Sequence, residues 1–402
     1  MLRRIVWLAF ATFVVPCEST AEEKMITVFA GEHTRHGTPV TIEIPKAWQK
    51  HQDFTLSRLD TNKSVPTQIV AADKLSLMWI LSDPLPAGQH RGYRLAPTSQ
   101  SPDTKNTVSV EDDGKHLQVA VGDKPVLVYN MAVVPSPDRK TPYYDRSGYI
   151  HPIFNPSGQA VTDDFAPDHP HQHGVMFPWT NTTFEGRDIN FWDQQKQRAT
   201  VKHAGIESTV SGAVFGEFTV KLHHVDITTP GKPKTALTET WRVRVYNTKN
   251  GFLFDLESSQ RAVSSPLRIN QYHYGALAIR GHRNWLTAGQ SDFLTSERKT
   301  RKNGNHSRPR WVDIHGLIKG KSTGVTIFCD PRNFRFPQPV RLHPSKPYFC
   351  FAPMVLGEFS ITSKKPYISR YRFFVHDGKL DTNVAEQIWH DLADPPRVIL
   401  AN

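Results

Sequence analysis

Residues 168–192 gather more site-like chemistry than any other stretch of the 402-residue chain. They read Asp168-His169-Pro170-His171-Gln172-His173-Gly174, then Asn181-Thr182-Thr183-Phe184-Glu185-Gly186-Arg187, then Asp188-Ile189-Asn190-Phe191-Trp192. Alternate side chains of an extended segment share a face, so the spacing predicts His169, His171 and His173 on one surface, with Asp168 and Gln172 on the other. Three imidazoles on one surface exceed what packing needs. Histidine titrates near neutrality and can both take and return a proton; it also ligates Zn, Cu, Fe or Mn. A metal site would use His169, His171 and His173, with Asp168, Glu185 or His151 to complete it, and its cofactor would be a divalent transition metal. That reading ranks second and no cofactor is favoured: the spacing does not match a cupin-like His-x-His with a Glu a few residues on, and Pro170 restricts how the first two rings turn.

The chain around this segment reads as an exported protein. Met1-Leu2-Arg3-Arg4, the apolar run 5–15 and Ser19-Thr20-Ala21 make a secretory leader over residues 1–21, cut after Ala21. The run is too short to span a bilayer, and no later stretch approaches the roughly 20 apolar residues required, so no transmembrane segment is expected after cleavage. The expected location is the periplasm or the medium. Cys17 leaves with the leader; Cys329 and Cys350 lie in apolar strand-like runs and are expected to be free thiols, since two cysteines make no disulfide framework. Loss of Arg3, Arg4 and Glu18 takes the formal charge from +11 to +10, which favours an anionic partner. The nearest basic cluster, Arg298-Lys299-Thr300-Arg301-Lys302, lacks a nucleic-acid recognition motif, so the expected partner is an acidic polysaccharide or oligosaccharide and not a nucleic acid.

The elements available to position the site are strands. Short extended runs at 25–29, 38–44, 66–70, 76–81 and 92–95 predict a small β module over 22–100. A polar stretch at 98–104 reads as a linker. A larger β domain is predicted over 106–380, beginning with a hairpin in which Leu117, Val119 and Val121 alternate, Gly122-Asp123-Lys124 turns and 126–129 resumes. Further runs fall at 218–222, 241–246, 252–256, 276–279, 325–329 and 371–375. Trp241, Val243 and Val245 share a face, leaving Arg242 and Arg244 on one open to solvent or ligand. The one persuasive helix follows Asp381 or Thr382 as cap, turns Val384, Ile388 and Leu392 inward and closes before Pro395-Pro396, giving a C-terminal helix and tail over 381–402. Many strands and few helices predict an all-β protein built of sandwiches. Gly-x-Ser-x-Gly, P-loop and dinucleotide fingerprints are absent.

The order of Thr38-Pro39-Val40, Asp168-His169-Pro170-His171 through Gly174, the 188–192 segment, Ser296-Glu297, Trp311-Val312-Asp313 and Asp330-Pro331-x-Asn333 resembles an exported bacterial family labelled methane oxygenase-like, or PmoA-like. The resemblance covers most of the mature chain. True methane monooxygenase activity is set aside, because that membrane enzyme needs several spanning helices. The resemblance implies a large β-sandwich, a supersandwich of the galactose-mutarotase-like kind, preceded by a small β-sandwich module, an arrangement shared with enzymes acting on carbohydrate. It also implies an Arg before the motif's glycine, where this chain has His173, so no anion clamp carries over.

Sugar epimerases, lyases and hydrolases on such scaffolds need a base and an acid tuned near working pH. The candidates are His169, His171, His173, His343 and His273 within Gln271-Tyr272-His273-Tyr274-Gly275, with Glu297 as the carboxylate. The expectation is His171 or His273 as acid, Glu297 as base, and His169, His173, Arg187, Trp192, Arg280 and His343 binding substrate. This pairing requires Glu297 to meet His171 or His273 in space. A non-catalytic alternative is a glycan-binding module holding an acidic polymer on the Arg242 and Arg244 face.

Overall fold

The structure, a computed structural model, describes residues 23–71, 74–99, 107–229 and 231–401; the leader and residues 100–104 of the expected linker lie outside them. The fold is all-β, a large sandwich preceded by a smaller one.

In the small sandwich a three-stranded sheet (Thr38–Glu43, Ser76–Leu81, Gln68–Val70) faces a five-stranded one. Alternate residues of each strand point inward, so Ile26, Val28, Val40, Leu56, Leu77, Trp79, Tyr93 and Leu95 form its core. The five-stranded sheet contains Lys24–Phe29, His90–Thr98, Asp53–Arg58 and Ser64–Val65, and its outer strand is Arg397–Ala401. The stretch read as a tail is therefore a strand, paired antiparallel to the first one with Met25 opposite Ala401 and Phe29 opposite Arg397. Its alternation explains this, because Val398 and Leu400 pack on the small core.

The large sandwich stacks two eight-stranded sheets. One carries the long strands Ala199–Val210, Phe215–Asp226, Lys234–Tyr246, Phe252–Ala262, Tyr367–Asp377 and Lys321–Cys329 and ends in Trp311–Ile318 and Ser291–Thr295. The other runs from Val340–Leu342 through Tyr348–Phe351, Ala278–Arg280, Val175–Met176 and Tyr149–Ile153 to Lys124–Asn130, His116–Val121 and Val108–Asp112. Trp241, Val243 and Val245 are fully buried between the sheets. Arg242 and Arg244 point away from that core, but not as a free basic face: Arg244 Nη2 sits 2.7 Å from Glu217, and Arg242 Nη2 3.4 Å from Glu257. The register sets Arg244 opposite Asp255, Asp255 opposite Arg372 and Glu257 opposite Arg370, so opposite charges face each other across neighbouring strands and cancel.

Among the described residues the α-helix is Thr382–Ala393, capped by Asp381, whose side chain accepts from Asn383 N–H at 2.9 Å. Ala385 and Ile388 are buried against Met78, Ile80, Phe215 and Phe374, with Val384 and Leu392 packed on the same cluster. The helix thus fills the seam between the sandwiches. A buried ion pair, Arg35 Nη1 to Asp391 at 3.0 Å, fastens it to the small one. Cys329 and Cys350 are free and buried, and burial pushes both thiols up to about 12. No helix among the described residues is long and apolar enough to cross a membrane.

Candidate functional site

Three strands at one end of the sheet that begins with Val340–Leu342 make the floor. Their register sets Ala278, Cys350 and Arg341 in one row, and Arg280 opposite Tyr348 in the next row on the same face. His343 joins that second row, its N–H donating to the Tyr348 carbonyl at 3.2 Å.

Over this floor runs the strand His169–His173, paired with Asp164–Ala166. It ends at Gly174, whose φ is +29° and where a Cβ would stand 2.0 Å from the Ile150 carbonyl oxygen. Only glycine allows the chain to turn this tightly onto the Tyr149–Ile153 strand. The turn drags His173 inward. Expected to face substrate, His173 is instead fully buried, with Nδ1 2.5 Å from Asp164, Nε2 3.1 Å from Gln194 Oε1 and its ring between Tyr149 and Phe165.

Asp168 and Gln172 turn the other way and meet Arg280, whose Nη1 donates to Gln172 at 2.8 Å and Nη2 to Asp168 at 2.6 Å. Arg280 is 1% exposed, so it positions this segment and does not reach into solvent. Burial opposes the Asp168 charge, but the hydrogen bonds from Arg280 and His169 outweigh it and bring the carboxyl from 3.8 to about 2. His169 donates Nδ1–H to Asp168 at 2.9 Å, and Lys346 Nζ lies 3.5 Å away.

His171 is half-buried, 5.5 Å from His169 and 6.5 Å from Tyr144 between ring centres. Its ring has no hydrogen-bond partner among the described residues. Burial first, then the neighbouring His169, His173 and Arg280, push it down to about 3, so it is uncharged at neutral pH. His343 stands 5.9 Å from His169; its Nδ1 accepts from Lys346 N–H at 3.0 Å, which leaves the proton on Nε2. Burial, then Arg341 and His169, bring it down to about 4.

An aromatic wall closes the far side. Tyr348 and Trp192 are 6.2 Å apart, Trp192 and Tyr274 5.3 Å, and Tyr274 and Tyr272 5.1 Å. Trp192 is 1% exposed and, like the buried Tyr348, backs the wall as a core residue, behind the half-buried Tyr272 and Tyr274. Burial raises the Tyr144 and Tyr274 phenols, and Asp193 adds to both, so this carboxylate lies near both rings. Sequence reasoning passed over Asp193, although it directly follows Asn190-Phe191-Trp192.

The remaining expected residues lie elsewhere or on the rim. His273 is exposed beside Tyr272 and Tyr274, and its carbonyl faces His306 Nε2 at 3.2 Å. Arg187 is held by Asp226 at 2.7 Å. Glu297 accepts from Ser296 at 2.7 Å and lies 4.0 Å from Arg310, which grips Glu386 of the C-terminal helix at 2.8 Å. The expected meeting of Glu297 with His171 or His273 is not among its contacts. For the metal alternative, both His173 nitrogens are taken, Glu185 is committed to Lys234 and Arg187, and His151 Nδ1 to Thr162 at 2.9 Å. Among the described residues no group of three or more His, Cys, Asp or Glu side chains is placed to hold a metal ion.

A family model described as "Family of unknown function (DUF6807)" matches residues 116–390. No curated protein matches the sequence. Among solved structures, the chain is similar to a protein in glycosyl hydrolase family 38 from Enterococcus faecalis, with 10% identity and a TM-score of 0.48 over 94% of this chain and 47% of that one. It is similar in the same way to an alpha-mannosidase from Enterococcus faecalis V583, with 11% identity, a TM-score of 0.48, and 94% and 46% of the two chains covered. The chain thus spans less than half the length of either. A galactose mutarotase related enzyme from Lactobacillus acidophilus matches at 8% identity and a TM-score of 0.26, over 68% of this chain and 100% of that one.

Proposed function

The chain belongs to that family of unknown function, and we propose that within it this protein is an exported, periplasmic or secreted, carbohydrate-active protein that performs proton-transfer chemistry on a sugar at the face formed by His169, His171 and His343. The observation that carries this reading is His171: a half-buried, uncharged imidazole with no hydrogen-bond partner, 6.5 Å from the Tyr144 ring. Tyrosine offers a sugar both an apolar ring face and a hydroxyl. His171 would accept the proton that leaves the substrate. Tyr274 and Tyr348, whose phenols burial raises and so keeps protonated, are the donors available to return one. Asp168 and Arg280 fix the histidine-bearing strand, and Asp193 supplies the nearby carboxylate that Glu297 does not.

Such a low proton affinity makes His171 a weak base on its own. An anionic group beside it lifts that affinity toward the working range, which favours an acidic polysaccharide or oligosaccharide as substrate. The test is a panel of neutral and acidic oligosaccharides, incubated with the full chain and with His171→Asn, with products resolved by mass spectrometry. Turnover of an acidic member, reduced at least about 100-fold by His171→Asn, is the expected result. Turnover unaffected by that change sinks the assignment, and binding without product moves the protein to the glycan-binding class.

A further inference from the structure

The 1%-exposed Arg146 lies without a carboxylate partner and out of reach of solvent, but several other buried or half-buried arginines near the site and the seam end on carboxylates: Arg280 on Asp168, Arg35 on Asp391, Arg310 on Glu386 and Arg372 on Asp255. Arg341 does not. It is half-buried in the floor strand Val340–Leu342, no carboxylate among the described residues pairs with it, and its Nε is shut off from solvent without a hydrogen-bond partner. A partly buried guanidinium that has the Tyr348 phenol beside it but no counter-charge remains unpaired in a low-dielectric setting, which favours a group that arrives with the ligand.

The surroundings specify that group. Arg341 shares its face with Tyr348 and His343, one step along the pleat, and lies near His273 at the rim. Lys346 and Arg280 add positive charge, while Asp168, the carboxylate on this side, is already taken by both. We propose that Arg341 receives the carboxylate of an acidic sugar, so that the ligand of this face is a uronate-containing chain and Arg341 sets its specificity. This rests on the carbohydrate reading and names its substrate class. The planar guanidinium fork matches a carboxylate in two parallel hydrogen bonds, a geometry that Lys cannot reproduce. Two neighbours bear the mark of the uncompensated charge: after burial, Arg341 is the largest influence lowering both His273 and His343.

The experiment is titration calorimetry of the full chain with trigalacturonate and with its neutral counterpart galactotriose, for wild type, Arg341→Gln and Arg341→Lys, each first checked by thermal melting. The inference expects trigalacturonate to bind at least tenfold tighter than galactotriose. Arg341→Gln erases that preference, and Arg341→Lys restores only part of it. Equal binding of the two sugars, unchanged by Arg341→Gln, overturns the inference and leaves the carbohydrate reading standing. If neither sugar binds, both fall. An added arm then follows the His273 and His343 ring signals by NMR with inorganic phosphate; Arg341-dependent shifts there show that Arg341 takes a phosphate-type anion and overturn the uronate assignment.

Discussion

Asp168→Asn tests the anchoring of the histidine strand quantitatively. Asn keeps the shape and one acceptor for Arg280 but removes the charge, so it mimics the protonated carboxyl at every pH. The Asp168 carboxyl lies at about 2 in the folded protein against 3.8 ordinarily, and that depression is worth about 2.5 kcal/mol at pH 7. Because the folded value is the lower one, this stability is fully present above about pH 4 and is lost as pH falls toward 2; by pH 3 about half of it, about 1.3 kcal/mol, remains. Urea unfolding of wild type and Asp168→Asn at pH 7, 5 and 3 should therefore show a gap near 2.5 kcal/mol that holds to pH 5 and then roughly halves. Asp168→Ala, which leaves the buried Arg280 uncompensated, should cost more, about 3–5 kcal/mol at pH 7. A gap that is the same at pH 3 as at pH 7, or below about 0.5 kcal/mol throughout, refutes the claim that this charge pair holds the segment.

Gly174→Ala sets a methyl 2.0 Å from a backbone oxygen at a positive φ and should cost at least about 2 kcal/mol, seen as a drop in melting temperature; an unchanged melt would mean that the turn burying His173 is not confined as described. Glu297→Gln should leave sugar turnover within about twofold of wild type, in contrast to His171→Asn, and a loss of 100-fold would restore Glu297 to the chemistry. Cys329 and Cys350, buried and pushed up to about 12, should resist a thiol reagent at pH 8 in the folded protein and react on unfolding; fast labelling of the native chain would contradict their burial.

Most strands were legible because two-residue alternation is local: the hairpin around Gly122 and the inward face of Trp241, Val243 and Val245 stand where the pattern put them. The helix was legible for the same reason, since Asp381 and the spacing of Val384, Ile388 and Leu392 lie within one short stretch. The opposite turn of Asp168 and Gln172 could also be read, but not its purpose, because Arg280 meets them across 112 and 108 residues of chain. Simple alternation failed at His173, where a register irregularity and the turn at Gly174 pull the ring out of the shared face. Arg341 was invisible for a different reason: it is conspicuous only once nearby arginines such as Arg280 are seen to end on carboxylates. Arg242 and Arg244 looked like a basic surface because their carboxylates lie on other strands.

The pairing of Arg397–Ala401 with Lys24–Phe29 makes the small sheet depend on residues that a ribosome delivers far apart, Met25 against Ala401 and Phe29 against Arg397. Throughout synthesis of everything between them, one side of the first strand offers its amides and carbonyls to whatever strand comes near, and such an edge templates association between chains. A product cut short of residue 397 keeps that edge permanently open. Loss of the last six residues would thus be felt as aggregation in proportion to concentration, and keeping this strand becomes a condition for staying monodisperse.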